Sequence, residues 1–237
     1  MQLVGIFLGA FVLYNVLSVV PLIGGLVRAS SLLGFLACFL IVSALAKRLV
    51  ASREARTRDG ASLADLRRVN TPHGRGKLGA ALLARGRVRA SIEPLEEARR
   101  GDPEAIEWPY RLGCARLASG SPQPAVAELR AVVERDEEYA YGGALMRLAE
   151  ATLASGDPAG SLELLERVDR NHGPSPEAAY RRGRALVALG RSAEAKTAFA
   201  SARQLADEAP KFQRSEARGW ALKAWWAGLT TAGAARS

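Results

Sequence analysis

Apolar side chains run almost unbroken from Leu3 to Val20 and again from Leu26 to Ala46, interrupted by Asn15, Arg28 and a few small or aromatic residues. Between the two runs lies Pro21-Leu22-Ile23-Gly24-Gly25, a turn-prone stretch. A membrane-spanning helix needs about 20 apolar residues. Residues 1–46 therefore read as a transmembrane anchor, either a helical hairpin with Arg28 snorkelling to the interface or a single span with an interfacial segment. A cleavable leader fits poorly, because no basic residue precedes the run and the run exceeds a signal-peptide core in length.

After the anchor the apolar pattern becomes periodic on two scales. Helical runs end in glycines at Gly86, Gly120, Gly156 and Gly190. Before each stands a matching run, beginning at Lys77-Leu78-Gly79, Arg111-Leu112-Gly113, Arg147-Leu148-Ala149 and Arg181-Arg182-Gly183. After each comes a second helical pattern with a small residue (Ser91, Ala125, Ser161, Ala195). Four positions on stands a large one (Leu95, Leu129, Leu165, Phe199), and three further another small or β-branched one (Ala98, Val132, Val168, Ala202). Pro103, Pro174 and Pro210 punctuate the units, since proline stops a helix.

This register resembles the tetratricopeptide repeat, whose unit is two antiparallel helices in about 34 residues. The resemblance covers residues 72–210, as units 72–105, 106–141, 142–175 and 176–210. It implies an all-α fold, a solenoid of about four helix pairs. In each pair a small residue allows close approach and a glycine turns the chain into the second helix. The sequence departs from the family pattern in places. The early aromatic is displaced to Trp108 in the second unit and missing from the others, and Ala149 stands in a glycine position. The first unit, opening Pro72-His73-Gly74-Arg75-Gly76, is poor in helix formers and is expected to fray or to serve as an imperfect cap. The order of anchor, basic connector, repeats and aromatic last helix is similar to that of bacterial membrane-anchored tetratricopeptide proteins.

Beyond Pro210, Phe212, Trp220, Leu222, Trp225 and Trp226 fall on one further predicted helix within 211–237. A solenoid needs a terminal element over its last apolar face, and tryptophans suit that task. The competing reading is an aromatic surface for a partner or a membrane interface. Ser62 and Asp65 form a capping-box-like signal ahead of a short helix over Leu63–Val69.

The net charge of +9 is concentrated in one place. Residues 47–89 carry twelve Lys and Arg against Glu54, Asp59 and Asp65, whereas the rest of the chain is close to balanced. Lys47, Arg48, Arg53, Arg56 and Arg58 follow directly on the anchor as a linker over 47–71. They place the repeats on the cytoplasmic side of a bacterial inner membrane and are available to anionic headgroups. Their belt lacks interleaved aromatics, so nucleic acid is not the expected partner. An anionic-lipid or nucleic-acid binder built on residues 47–89 remains the alternative reading.

Chemistry is sparse. Cys38 and Cys114 have no paired cysteine or histidine at ligand spacing, and His73 and His172 stand apart in turn-like contexts, as solvated loop residues. Gly74-Arg75-Gly76-Lys77 lacks the strand and the Ser/Thr of a phosphate loop, and no hydrolase or protease fingerprint appears. No enzyme, cofactor or metal site is expected. Stacking as in the family puts the first helices along a concave groove, lined by Tyr110, Cys114, Leu117, Met146, Glu150, Leu153, Tyr180, Arg184 and Val187. That mixture suits a peptide or helix of a partner protein, so the expected function is that of a membrane-anchored scaffold or adaptor.

Overall fold

The computed structural model describes residues 11–12, 14–16, 36–44, 46 and 63–234. The chain divides into two compact units, residues 1–65 and 66–237. In the first, the described residues 11–12, 14–16, 36–44 and 46 are helical. Asn15 donates its side-chain N–H to the Phe11 carbonyl at 2.8 Å. Phe11, Val12, Val16, Leu36, Leu40 and Ile41 are all exposed, whereas Cys38 is buried. Among the described residues no helix is long and apolar enough to cross a membrane. Most of the predicted anchor, with Arg28 and the basic residues Lys47, Arg48, Arg53, Arg56 and Arg58, lies outside the described residues. Residues 63–68 are helical, where the capping-box signal predicts a short helix.

The second unit is all-α among the described residues. Its helices are α1 (Pro72–Ala84), α2 (Val88–Gly101), α3 (Glu107–Ala118), α4 (Pro122–Arg135), α5 (Gly143–Ala154), α6 (Pro158–His172), α7 (Pro176–Ala188), α8 (Ser192–Glu208) and α9 (Arg214–Ala234). Each packs on its neighbour in sequence, and α9 packs on α7 and α8. The result is a tetratricopeptide-like solenoid of helix pairs.

One turn is used in all four pairs. Gly86, Gly120, Gly156 and Gly190 have φ of 71°, 82°, 95° and 75°. The amide of the next residue donates back along the chain, Arg87 to Leu82, Ser121 to Arg116, Asp157 to Thr152 and Arg191 to Leu186, at 2.9–3.1 Å. That is a Schellman cap, whose left-handed residue favours glycine. Space is not the reason, since an added Cβ would meet nothing within 4 Å at any of the four.

A different set of glycines is fixed by packing. A Cβ on Gly79 would lie 2.5 Å from Leu95 Cγ and one on Gly113 2.6 Å from Leu129 Cγ, while the Phe199 ring crowds Gly183 in the same manner. The large residues of the second helices, Leu95, Leu129, Leu165 and Phe199, are at most 2% exposed. Ser91, Ala125, Ser161 and Ala195 are likewise buried, and Ser161 settles its hydroxyl by donating to the Ala149 carbonyl at 2.8 Å.

The first unit departs from expectation. α1 is an unbroken helix: Thr71 caps it by accepting from the Gly74 amide at 3.1 Å, and Pro72 occupies its first turn. Gly76 lies under the Trp108 indole, so the scarcity of helix formers reflects close packing and not fraying. His73 is on this helix, edge-on to Trp108 at 5.6 Å, and His172 ends α6, so neither histidine is a loop residue.

α9 covers the end of the array in a way the sequence reading did not anticipate. Its inner face is made of small residues, Ala217, Ala221 and Ala224, with Trp220 beside them. Trp225 and Trp226 are exposed on the far side. The small residues and Trp220 make the closure, and Trp225 and Trp226 do not.

Candidate partner-binding groove

α1, α3, α5 and α7 place side chains around one open cavity of about 690 Å³. α1 contributes Leu83, α3 contributes Tyr110, Cys114 and Leu117, α5 contributes Arg147, Glu150 and Leu153, and α7 contributes Arg181 and Arg184. These are first helices of successive pairs, so residues a full repeat apart in the chain converge on one wall. Tyr110, Cys114, Leu117, Glu150, Leu153 and Arg184 of the sequence-derived set meet here. Met146 lines a second cavity of about 280 Å³, which shares Tyr110 and Arg147 with the first and has His172 on its wall.

Tyr180 and Val187 line neither cavity. The Tyr180 ring packs between Phe199 (6.0 Å) and Trp220 (5.6 Å), where α9 covers it. Val187 is exposed. A helical projection places both on the inner face of the array, but it contains no information about α9, which takes up Tyr180.

Arg147, Arg181 and Leu83 escaped the sequence reading. A signal for the two arginines existed: Lys77, Arg111, Arg147 and Arg181 open the matched runs, a basic column repeated at the unit period. Arg111 pairs with Glu107 one turn earlier at 2.7 Å, and Arg181 pairs with Glu177 in the same way at 2.6 Å. Arg147 has Gly143 one turn earlier instead of a carboxylate. It pairs forward with Glu150 at 2.7 Å and approaches Glu177 of the next unit at 3.9 Å. Arg181 reaches back to Glu150 at 2.9 Å. The floor is thus a ladder of alternating charge across two repeats, and Arg181 is almost fully buried within it.

The ladder sets the local ionisation. Burial works to raise the Glu150 pKa, but hydrogen bonds and charge from Arg181 and Arg147 overcome it and hold the carboxyl below its ordinary value. Burial pushes up the Cys114 thiol, which Arg147 only partly opposes, and burial raises the neighbouring Tyr110 phenol as well. The wall therefore carries an un-ionised thiol and phenol at neutral pH. Arg184, at the rim, has no ion-pair partner among the described residues and is exposed. It presents the cavity's uncompensated positive charge, since Glu150 is already neutralised by two guanidinium groups.

A family model for a tetratricopeptide repeat-like domain matches residues 108–215. This segment is a tetratricopeptide repeat-like domain. The solved structure of MamA 41-end from Desulfovibrio magneticus RS-1 is similar to the chain at 18% identity and a TM-score of 0.58, over 70% of this chain and 95% of that one. A second MamA crystal structure is similar at 20% identity and a TM-score of 0.57, over 67% and 88% of the two chains. TTC0263, a thermophilic tetratricopeptide repeat protein in Thermus thermophilus, is similar at 24% identity and a TM-score of 0.50, over 69% and 92%. At these identities the likeness is one of fold. Among curated proteins none matches the chain. The cavity is formed largely within the tetratricopeptide repeat domain, with Leu83 of the preceding helix pair on its edge.

Proposed function

We propose that this chain is a membrane-anchored scaffold whose repeats hold a peptide or helix of a partner protein in the groove between α1, α3, α5 and α7. The observation that carries the reading is the cavity itself. It combines apolar lining (Leu83, Leu117, Leu153), a neutral thiol and phenol (Cys114, Tyr110) and one unpaired cation (Arg184) from successive repeats. Such a surface recognises an extended or helical segment through a few apolar anchors and one acidic group. Its charge ladder is internally satisfied, so it serves as a rigid floor.

The anchor is residues 1–46, and the repeats face the cytoplasm at a bacterial inner membrane. This part of the proposal rests on the apolar runs, on exposed Leu36, Leu40 and Ile41 in a helical segment, and on the basic residues that follow. No enzymatic role is proposed. The test is affinity capture with the intact chain and with Arg184→Glu. Arg184 is solvent-exposed, so reversal leaves the fold intact. Loss of one captured protein from the variant, with helicity unchanged, supports the groove reading. Equal capture by both forms overturns it.

A further inference from the structure

α9 has two apolar faces, and the solenoid uses one. Ala217, Ala221 and Ala224 pack inward, together with part of Trp220. On the opposite side Leu222, Trp225, Trp226 and Leu229 recur at i, i+3, i+4 and i+7, the spacing of one continuous helical stripe. They are 58%, 43%, 59% and 50% exposed. None of the four lines either groove cavity. The same stripe continues N-terminally through Arg218 and Arg214, and Phe212 just before the helix is 84% exposed. From Lys211 to Leu229 the chain has Lys211, Arg214, Arg218 and Lys223 against Glu216 alone.

We propose that this outer face of α9 seats on an anionic lipid bilayer surface. An interfacial helix combines an apolar stripe rich in tryptophan and leucine with lysine and arginine at its margins. Indoles favour the headgroup level, and basic side chains complement anionic lipid. Trp225 and Trp226 meet edge to face at 5.0 Å and line neither groove cavity, which suits a planar surface better than a knob in a protein pocket. A second copy in parallel register would oppose arginine to arginine, and an antiparallel one is an outcome of the test below. The inference does not depend on what the groove binds.

Tryptophan fluorescence tests it on the full chain, because residues 1–107 contain no tryptophan and an inserted N-terminal segment adds no signal. The chain is reconstituted into vesicles of phosphatidylcholine brominated on its acyl chains, with or without phosphatidylglycerol. Bromine quenches indoles that enter the interface. The expected result is quenching with phosphatidylglycerol that weakens in high salt. Trp225→Phe with Trp226→Phe removes the quenched emission, since Trp108 is buried and Trp220 is packed against Tyr180. Leu222→Glu with Leu229→Glu, both at exposed positions, retains helicity and lowers quenching at least about tenfold. Three results overturn the proposal: no quenching in either vesicle, equal quenching without anionic lipid, or indole shielding that appears without lipid and depends on protein concentration. The last assigns the face to a second copy. Shielding that requires added membrane proteins and not pure lipid also overturns it, in favour of a protein partner.

Discussion

Arg181 donates to Glu150 across the junction of two repeats, Nη1 to Oε1 at 2.9 Å, while its other terminal nitrogen holds Glu177 at 2.6 Å. The guanidinium side chain is 6% exposed, against 28% and 20% for the two carboxylates. One cation thus fixes two anions on the groove floor. Removing it as Arg181→Ala leaves both carboxylates in a partly dry site with Arg147 as their shared cation. Breaking a fully buried pair costs ~3–5 kcal/mol, and the partial exposure of the carboxylates brings the expectation to about 2–3 kcal/mol. Urea unfolding of the variant measures it, and a loss below about 0.5 kcal/mol, the level of an exposed pair, would show that the ladder is not structural.

The same pair gives a pH dependence. Glu150 has a folded pKa below that of the unfolded chain, where it is about 4.3. The ionised carboxylate therefore adds stability that is complete above the unfolded pKa and is lost as pH falls through the folded value. Native protein and Glu150→Gln should differ most at neutral pH and converge in acid. Parallel stability curves down to pH 2–3 would contradict the assignment.

Two glycines of the last repeat pair test two separate constraints. Gly183→Ala drives a methyl into the Phe199 ring, and overpacking of this kind costs ~1–3 kcal/mol. Gly190→Ala meets no atom but must hold a φ of 75°, a strain of ~1–2 kcal/mol. Adding Phe199→Leu should recover part of the first loss and none of the second. Equal rescue of both would mean that the Phe199 contact is not what Gly183 accommodates.

How far the molecule was legible in its sequence follows from which interactions are local. The glycine turns and the buried columns Leu95, Leu129, Leu165 and Phe199 obey the same rule in every unit, so self-similarity exposes them without any three-dimensional information. The first helix misled because Gly74 and Gly76 read as weak helix formers, whereas their role depends on Val69 and Trp108, which approach them only in the fold. α9 misled for the converse reason. Tryptophan content suggests burial, but the inner surface of this helix is made of Ala217, Ala221 and Ala224 beside Trp220, and Trp225 and Trp226 are left exposed. Tyr180 is displaced from the groove wall by a helix far along the chain that no repeat pattern predicts. Arg147 needed one further step, the absence of a carboxylate at Gly143, to see that it turns toward the next unit.

Cys114 offers a chemical probe of the groove. Burial raises its pKa, so the nucleophilic thiolate is scarce at pH 8. In a Cys38→Ser variant, alkylation by iodoacetamide should run slower than that of an unfolded control at pH 8 and keep rising beyond pH 9. Occupation of the groove by a partner should slow it further. A rate equal to that of the unfolded chain would place Cys114 in open solvent.

Glu128 joins the first two helix pairs from the back of the array. Arg99 of α2 and Arg116 of α3 both donate to it, at 2.9 Å and 2.8 Å, and its side chain is 5% exposed. Glu128→Ala frees half-exposed Arg99, which water readily solvates, and leaves Arg116 to Glu96 alone, so a loss of about 2 kcal/mol is expected, short of the ~3–5 of a fully buried pair. Hydrogen exchange should report it as faster opening of α1 and α2. Unchanged exchange there would separate Glu128 from the cohesion of the first repeats.

The most direct test of a partner-binding groove is photo-crosslinking from defined positions in native membranes. A benzophenone side chain is placed at 184 or 153, on the cavity wall, or at exposed Arg130 on α4, away from that wall. The account predicts one discrete protein adduct from 184 and 153 and none from 130. It also predicts that Arg184→Glu abolishes the adduct from 153. The same adducts from 130, or none from either cavity position, would contradict it.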